Sequence, residues 1–259
     1  TISLIKLKKE LQQCSSFFII NNISKNFIMV KLSNSKNQIQ IVKNFEALIS
    51  SKFQGDLNAM CWNRTLEGDF SEIINKFTIN RNITEVNVAQ LLTLQLSKKG
   101  QIAREIIIND LKLLKKHGAS PIINIIKNYD RDDSFPFFPT DVYSFHVDRS
   151  PIPTETFLCT YYGTPSEIIE NSKATQKILI PEIREELKKL YDGSENGFEE
   201  FLTEYFFDLH YQAKPNAQPI NLGNCNLWKL AVDHPESKVL PCLHRAPKEK
   251  NAKKEEALN

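Results

Sequence analysis

The chain has 259 residues, 41% of them apolar and 25% charged, the make-up of a globular protein with one substantial core. Its 33 Lys and Arg face 31 Asp and Glu, a net charge of +2, so nothing in the charge balance argues for nucleic acid as a partner. The five cysteines (Cys14, Cys61, Cys159, Cys225, Cys242) are odd in number and share no spacing, which argues against a disulfide framework and for a reducing, cytoplasmic setting.

The first apolar run, "SSFFIINNISKNFIMV", is broken by Asn, Ser and Lys, too short and polar to span a membrane, and no small-residue cleavage pattern follows it. Helical spacing then dominates up to Gly118. The segments "NFEALISSKF" (44–53), "TEVNVAQLLTLQLS" (84–97) and "GQIAREIIINDLKLLKKHG" (100–118) are expected to be helices. In the last, Ile102, Ile106, Ile107, Leu111 and Leu114 form a stripe, and Lys115, Lys116, His117 and Gly118 supply the cations and the glycine of a helix end.

Beyond Gly118 the period shortens. "SPIINIIKNYD", "DVYSFHVDR", "ETFLCTYYG", "CNLWKLAVD" and "KVLPCLHR" are rich in β-branched and aromatic residues and bounded by Pro, Asp, Asn and Gly, as strands are. A helical insertion over 181–212 separates the third from the fourth. The charged run 248–259 carries almost no apolar residue and reads as a disordered tail. The expected class is α+β: a mainly helical part over 1–118, then a strand-built core over 119–247.

The chemistry concentrates in "DVYSFHVDR". On a strand, His146 and Asp148 point to one face, and an imidazole beside a carboxylate is two thirds of a facial triad, in which two His and one carboxylate hold ferrous iron and leave positions open. The third ligand must come from a distant strand. His244 in "VLPCLHRAP" fits best, because His117 ends a helix, His210 falls on the helical "FFDLHYQ", and His234 lies in a turn. The other reading of the same pair is a polar strand edge. Zinc suits the same three ligands, whereas a zinc site built on Cys225, Cys242 and His244 lacks the paired Cys-x-x-Cys ligands of structural zinc.

The blocks "LNAMCWNRTL", "FHVDR", "TFLCTYYG", "LWKLAVD" and "CLHRAP" stand in the order found in a bacterial family of unknown function that carries Asn-x-Ala-x-Trp-x-Arg, Phe-His-x-Asp, Cys-Thr-Tyr-x-Gly and His-Arg-Ser-Pro elements. The chain resembles it over residues 40–247, and the resemblance extends to ferrous iron oxygenases of the double-stranded β-helix type. It implies a jelly-roll or cupin-like core, a metal held by His146, Asp148 and His244, and an oxidoreductase, dioxygenase-like activity on a small-molecule or peptide substrate. Such enzymes anchor 2-oxoglutarate on a basic residue, often an Arg, after the second His. Here "KEKNAKKEEALN" follows, without Arg, so Lys253 or Lys254, or else Arg245 or Arg149, would take that part, or the cosubstrate is another molecule. Arg149, Thr160 and Tyr162 are the expected substrate-contacting residues, the last two with core packing as the alternative. The loops "PTDVYSF" and "RSPIPTET" and the segment "EELKKLY" are expected to cover the mouth. Trp62 and Arg64 either reach over the site or stack on each other.

Overall fold

The structure, a computed structural model, describes residues 16–21 by their backbone, and 38–247 with the exception of Asp133 and Pro136. The tail 248–259, with Lys253 and Lys254, and Cys14 lie outside the described residues. The described residues build two sheets. The first has seven strands: β1 Ser16–Asn21, β2 Ile39–Val42, β3 Ala59–Trp62, β4 Ile83–Val86, β5 Pro121–Ile126, β7 Glu155–Tyr162 and β12 Leu227–Ala231, in the order β2-β3-β12-β7-β1-β5-β4. The second has six: β6 Phe145–His146, β8 Glu167–Ile169, β9 Ala174–Gln176, β10 His210–Ala213, β11 Ile220–Asn221 and β13 Leu243–Arg245, in the order β11-β8-β13-β6-β10-β9. Every pair in the second sheet is antiparallel, whereas β1 runs parallel to both β5 and β7 in the first.

Strand β7 shows how the layers stack. Phe157, Cys159 and Tyr161 face a core shared with Ile73, Ile107, Leu111 and Leu114 of the helices, while Leu158 faces Trp228, Ile168 and Cys242 between the sheets. The large sheet is thus covered by helices on one side and by the small sheet on the other. A third, largely aromatic cluster packs Phe138, from the loop before β6, against Phe198, Leu202 and Phe207 of the segment that contains α5 Pro181–Leu190 and α6 Phe198–Glu204.

Before Gly118 the described residues supply β1 to β4 as well as four helices: α1 Phe45–Ser50, α2 Phe70–Asn75, α3 Val88–Thr93 and α4 Lys98–His117. The stretch 84–97 divides because Asn87 closes a reciprocal capping box with Gln90, which starts α3 only after β4 has ended. The long helix α4 does run to His117 and ends on Gly118 in the left-handed conformation (φ 98°). Its buried stripe is rotated from the expected one: Ala103, Ile107, Leu111 and Leu114 are buried, while Ile102 is 41% exposed. The insertion is α-helical only to Glu204, a 3-10 turn spans Phe207–Leu209, and His210 opens β10.

Among the described residues no helix is long and apolar enough to cross a membrane.

Candidate metal centre

Strand β6 is two residues long, yet it sits at the centre of the small sheet between β13 and β10. His146 is the direct partner of His244 on one side and of His210 on the other. Partners across an antiparallel ladder project to the same face, so the three imidazoles form a row. The His146 ring centroid lies 4.5 Å from that of His244 and 5.9 Å from that of His210.

Asp148 follows just past the end of β6. Its backbone carbonyl accepts the Asp233 N–H at 2.9 Å, and its Oδ2 accepts the Thr156 hydroxyl at 2.5 Å. That leaves Oδ1 facing His244, 3.6 Å from Nε2. One ligand atom from each of His146, Asp148 and His244 lies within 4.8 Å of the others. No other group of three or more His, Cys, Asp or Glu side chains converges in this way among the described residues.

Each imidazole is held in the form a metal needs. His146 Nδ1 lies 2.8 Å from the Ser144 carbonyl and His244 Nδ1 lies 3.3 Å from the Cys242 carbonyl. A carbonyl only accepts, so Nδ1 carries the proton and the Nε2 lone pair is left for the ion. Burial pushes the His146 imidazole down to about 4; neighbouring His244 pushes the same way and Asp148 opposes both. The ring is therefore neutral near neutral pH, as ligation requires.

The three residues open onto a cavity of about 150 Å³ whose wall includes Leu158, Phe206 and Leu209 as apolar members and Tyr129, Asp141 and Ser166 as polar ones. The loop "PTDVYSF" contributes Thr140, Asp141 and Val142 to that wall, and Thr156 comes from "RSPIPTET". No residue of "EELKKLY" lines it.

The remaining expected site residues separate. Arg149 and Arg245 do line the cavity, but each is engaged with carboxylates. Arg149 donates from Nε to Asp233 at 2.8 Å and from Nη2 to Asp208 at 2.5 Å. Arg245 donates from Nε and Nη2 to Glu167 Oε2, at 2.9 and 2.6 Å. Thr160 and Tyr162 do not line it. Thr160 is buried further along β7, where its carbonyl accepts the Cys225 N–H at 2.7 Å, and Tyr162 packs on the helix-side core beyond a register shift in the pairing with β1. Thr156 is the β7 hydroxyl that reaches the centre.

Trp62 and Arg64 stack on each other at 4.6 Å, with Arg64 Nη1 held at 2.8 Å by both oxygens of Asp110 on α4, away from the cavity wall. The four described cysteines are free thiols, and Cys242 and Cys225 pack on opposite sides of the large sheet. Burial pushes the Cys242 thiol well above its ordinary range and Cys225 up to about 11.

The spacing of "FFDLHYQ" predicts a helix at His210, whereas the residue opens β10 and lines the cavity beside His146. The break that creates β10 is Phe206, in left-handed conformation (φ 59°), a geometry its residue type does not announce. No family model, curated protein or solved structure matches the chain, and what the centre does rests on its own geometry.

Proposed function

We propose that the chain is an oxidoreductase of the non-haem ferrous type, with the ion held by His146, Asp148 and His244. One observation carries the reading: one ring nitrogen from each of two imidazoles and one carboxylate oxygen converge within 4.8 Å on the wall of a cavity, and each imidazole has its Nδ1 beside a backbone carbonyl. Two neutral imidazoles and a carboxylate are the donor set that suits ferrous iron, and zinc is the competing ion at the same ligands. When bound, such an ion supplies open coordination positions for dioxygen or for Lewis-acid chemistry.

The protein's own part is positional. The Ser144 and Cys242 carbonyls set the ring tautomers. Thr156 occupies the Asp148 oxygen that faces away from His244, which orients the other. Leu158, Phe206 and Leu209 exclude water from the face where a substrate would lie.

A double-stranded β-helix core goes with this reading. It is supported by the adjacency of β6 and β13 in an all-antiparallel sheet and by the passage of the chain from Asp148 into β7 of the facing sheet. The parallel trio β5-β1-β7 departs from the antiparallel order of a jelly roll.

A second reading is a non-catalytic protein that holds zinc or iron on the same residues. It is favoured by the ion-paired state of Arg149 and Arg245, which leaves neither to anchor an acidic cosubstrate. The test is metal content after anaerobic purification, followed by oxygen uptake. Near-stoichiometric iron, lost in His146→Ala, Asp148→Ala and His244→Ala, with oxygen consumption by the loaded chain, is expected. Metal retained in the three variants would refute the site, and metal without oxygen uptake would select the second reading.

A further inference from the structure

Strand β8 leads a polar side chain into the space between the sheets. The Ser166 carbonyl accepts the Leu222 N–H at 3.0 Å, which continues the pairing of β8 with β11 one step past Glu167 and Asn221. Side chains alternate along a strand, so Ser166 shares a face with Ile168, and Ile168 is the partner of His244. Ile168 and Leu222 both belong to the apolar cluster between the sheets. Ser166 thus stands on the face that carries His244, is 5% exposed and lines the cavity. Its hydroxyl makes no hydrogen bond to any described residue. Buried hydroxyls are nearly always hydrogen-bonded, because one that has lost its water without gaining a partner destabilises the fold.

Tyr129 brings a second hydroxyl to the same wall. Its N–H donates to the Tyr143 hydroxyl at 3.1 Å, but its own hydroxyl engages no described residue. Burial pushes that phenol above its ordinary range, so it stays protonated and can donate. The charged groups of the wall are in the opposite state. Arg149 is held by Asp208 and Asp233, Arg245 by Glu167, and Asp141 faces both Arg131 and Lys177. Outside the three candidate metal ligands, each wall carboxylate or guanidinium therefore has an opposite charge beside it. A charged ligand would have to break one of these pairs, whereas a neutral one would meet hydroxyls with nothing to release.

We propose that the cavity binds a small uncharged molecule bearing an amide, carbonyl or hydroxyl oxygen, with the Ser166 hydroxyl as its anchor and the Tyr129 hydroxyl as a second contact. The inference rests on the reading of His146, Asp148 and His244 as a metal centre only in that the ligand becomes the substrate presented to that centre. A cavity of about 150 Å³ suits a molecule of roughly six heavy atoms. Leu158, Phe206 and Leu209 then cover its aliphatic part.

The test uses the full chain loaded with zinc as a redox-inert occupant, its metal content measured first, and the same chain stripped by chelator. Three isosteres that differ in charge, butyramide, butyrate and butyramidinium, are titrated by ligand-observed NMR; the stripped chain separates any affinity of the ion itself for a carboxylate. Saturable butyramide binding is expected in both forms, about tenfold or more tighter than either charged isostere in the stripped chain. Ser166→Ala should weaken butyramide about five- to tenfold without lowering the urea midpoint, because the hydroxyl it removes holds nothing else in the fold, and Tyr129→Phe should weaken it as well. No saturable butyramide binding, a charged isostere that binds the stripped chain as tightly, or unchanged butyramide affinity in Ser166→Ala would overturn the proposal. So would a lowered urea midpoint in Ser166→Ala, which would make the hydroxyl a structural group. Failure to load zinc would count against the metal reading alone, since the stripped chain still decides the ligand.

Discussion

His146 and His244 are useful to a metal because of what their far nitrogens touch. The Ser144 and Cys242 carbonyls fix Nδ1–H, and Thr156 fixes Asp148, so the three ligand atoms are oriented before an ion arrives. Loss of such an outer partner typically costs 10–100-fold in affinity. Thr156→Val is therefore expected to weaken metal binding by about that factor in chelator competition, with an unchanged circular dichroism spectrum; unaltered affinity would show that the Thr156 hydroxyl does not orient the carboxylate. Lys177 gives the pH dependence nearby. Burial takes its ammonium down to about 8 from 10.5, with Asp141 opposing. Between those values the unfolded chain holds the proton and the folded chain does not, so stability rises with pH across that window and is lost as pH falls through the lower value. Urea midpoints between pH 7.5 and 10.5 should rise less in Lys177→Met than in the parent chain, and equal slopes would contradict the assignment. At this scale the sequence was informative where side chains alternate: His146 and Asp148 share a face by spacing alone. His210 was not legible, because the aromatic run before it keeps helical spacing past the point where Phe206 turns the chain.

The elements show what periodicity conveys and what it hides. Helix α4 was visible from its apolar stripe and its Gly118 terminus, but Asp110 sits on the buried side of it, where a hydrophobic residue would be expected. The reason is Arg64, whose guanidinium grips both Asp110 oxygens while the Tyr161 hydroxyl donates to Oδ2 at 2.6 Å. Side chains of Arg64 and Asp110 are each 5% exposed, so removing one leaves an uncompensated buried charge. Asp110→Ala is expected to cost about 3–5 kcal/mol in urea unfolding, with metal content unaffected because the pair lies outside the cavity wall. A loss below 1 kcal/mol would mean that water reaches Arg64. Short strands such as β8, β9 and β11 have two or three residues and no period to detect, and they exist because neighbours in the small sheet pair with them. Likewise β4 was absorbed into a helix because Ile83–Val86 abuts the capping box of α3.

For the whole molecule, the two sheets are joined by the chain that carries the ligands: β6 and β13 belong to the small sheet, while Thr156, which steadies Asp148, belongs to the large one. An ion at the centre would bind only when both sheets are in place, so metal should stabilise the fold as a whole. At a free metal concentration a hundredfold above Kd the gain is about 2.7 kcal/mol, and it should vanish in His146→Ala. A melting temperature insensitive to chelator in a chain that retains its metal would show the ion bound elsewhere. The layering of helices, large sheet and small sheet was not legible in the sequence, because it depends on which strands pair across more than a hundred residues, as β1 does with β5 and β7. The most direct test of the account is an anomalous difference map at the iron edge from crystals grown without oxygen. A single peak within coordination distance of His146, Asp148 and His244 is expected. A peak at any other place, or none in a chain purified with stoichiometric iron, would contradict it.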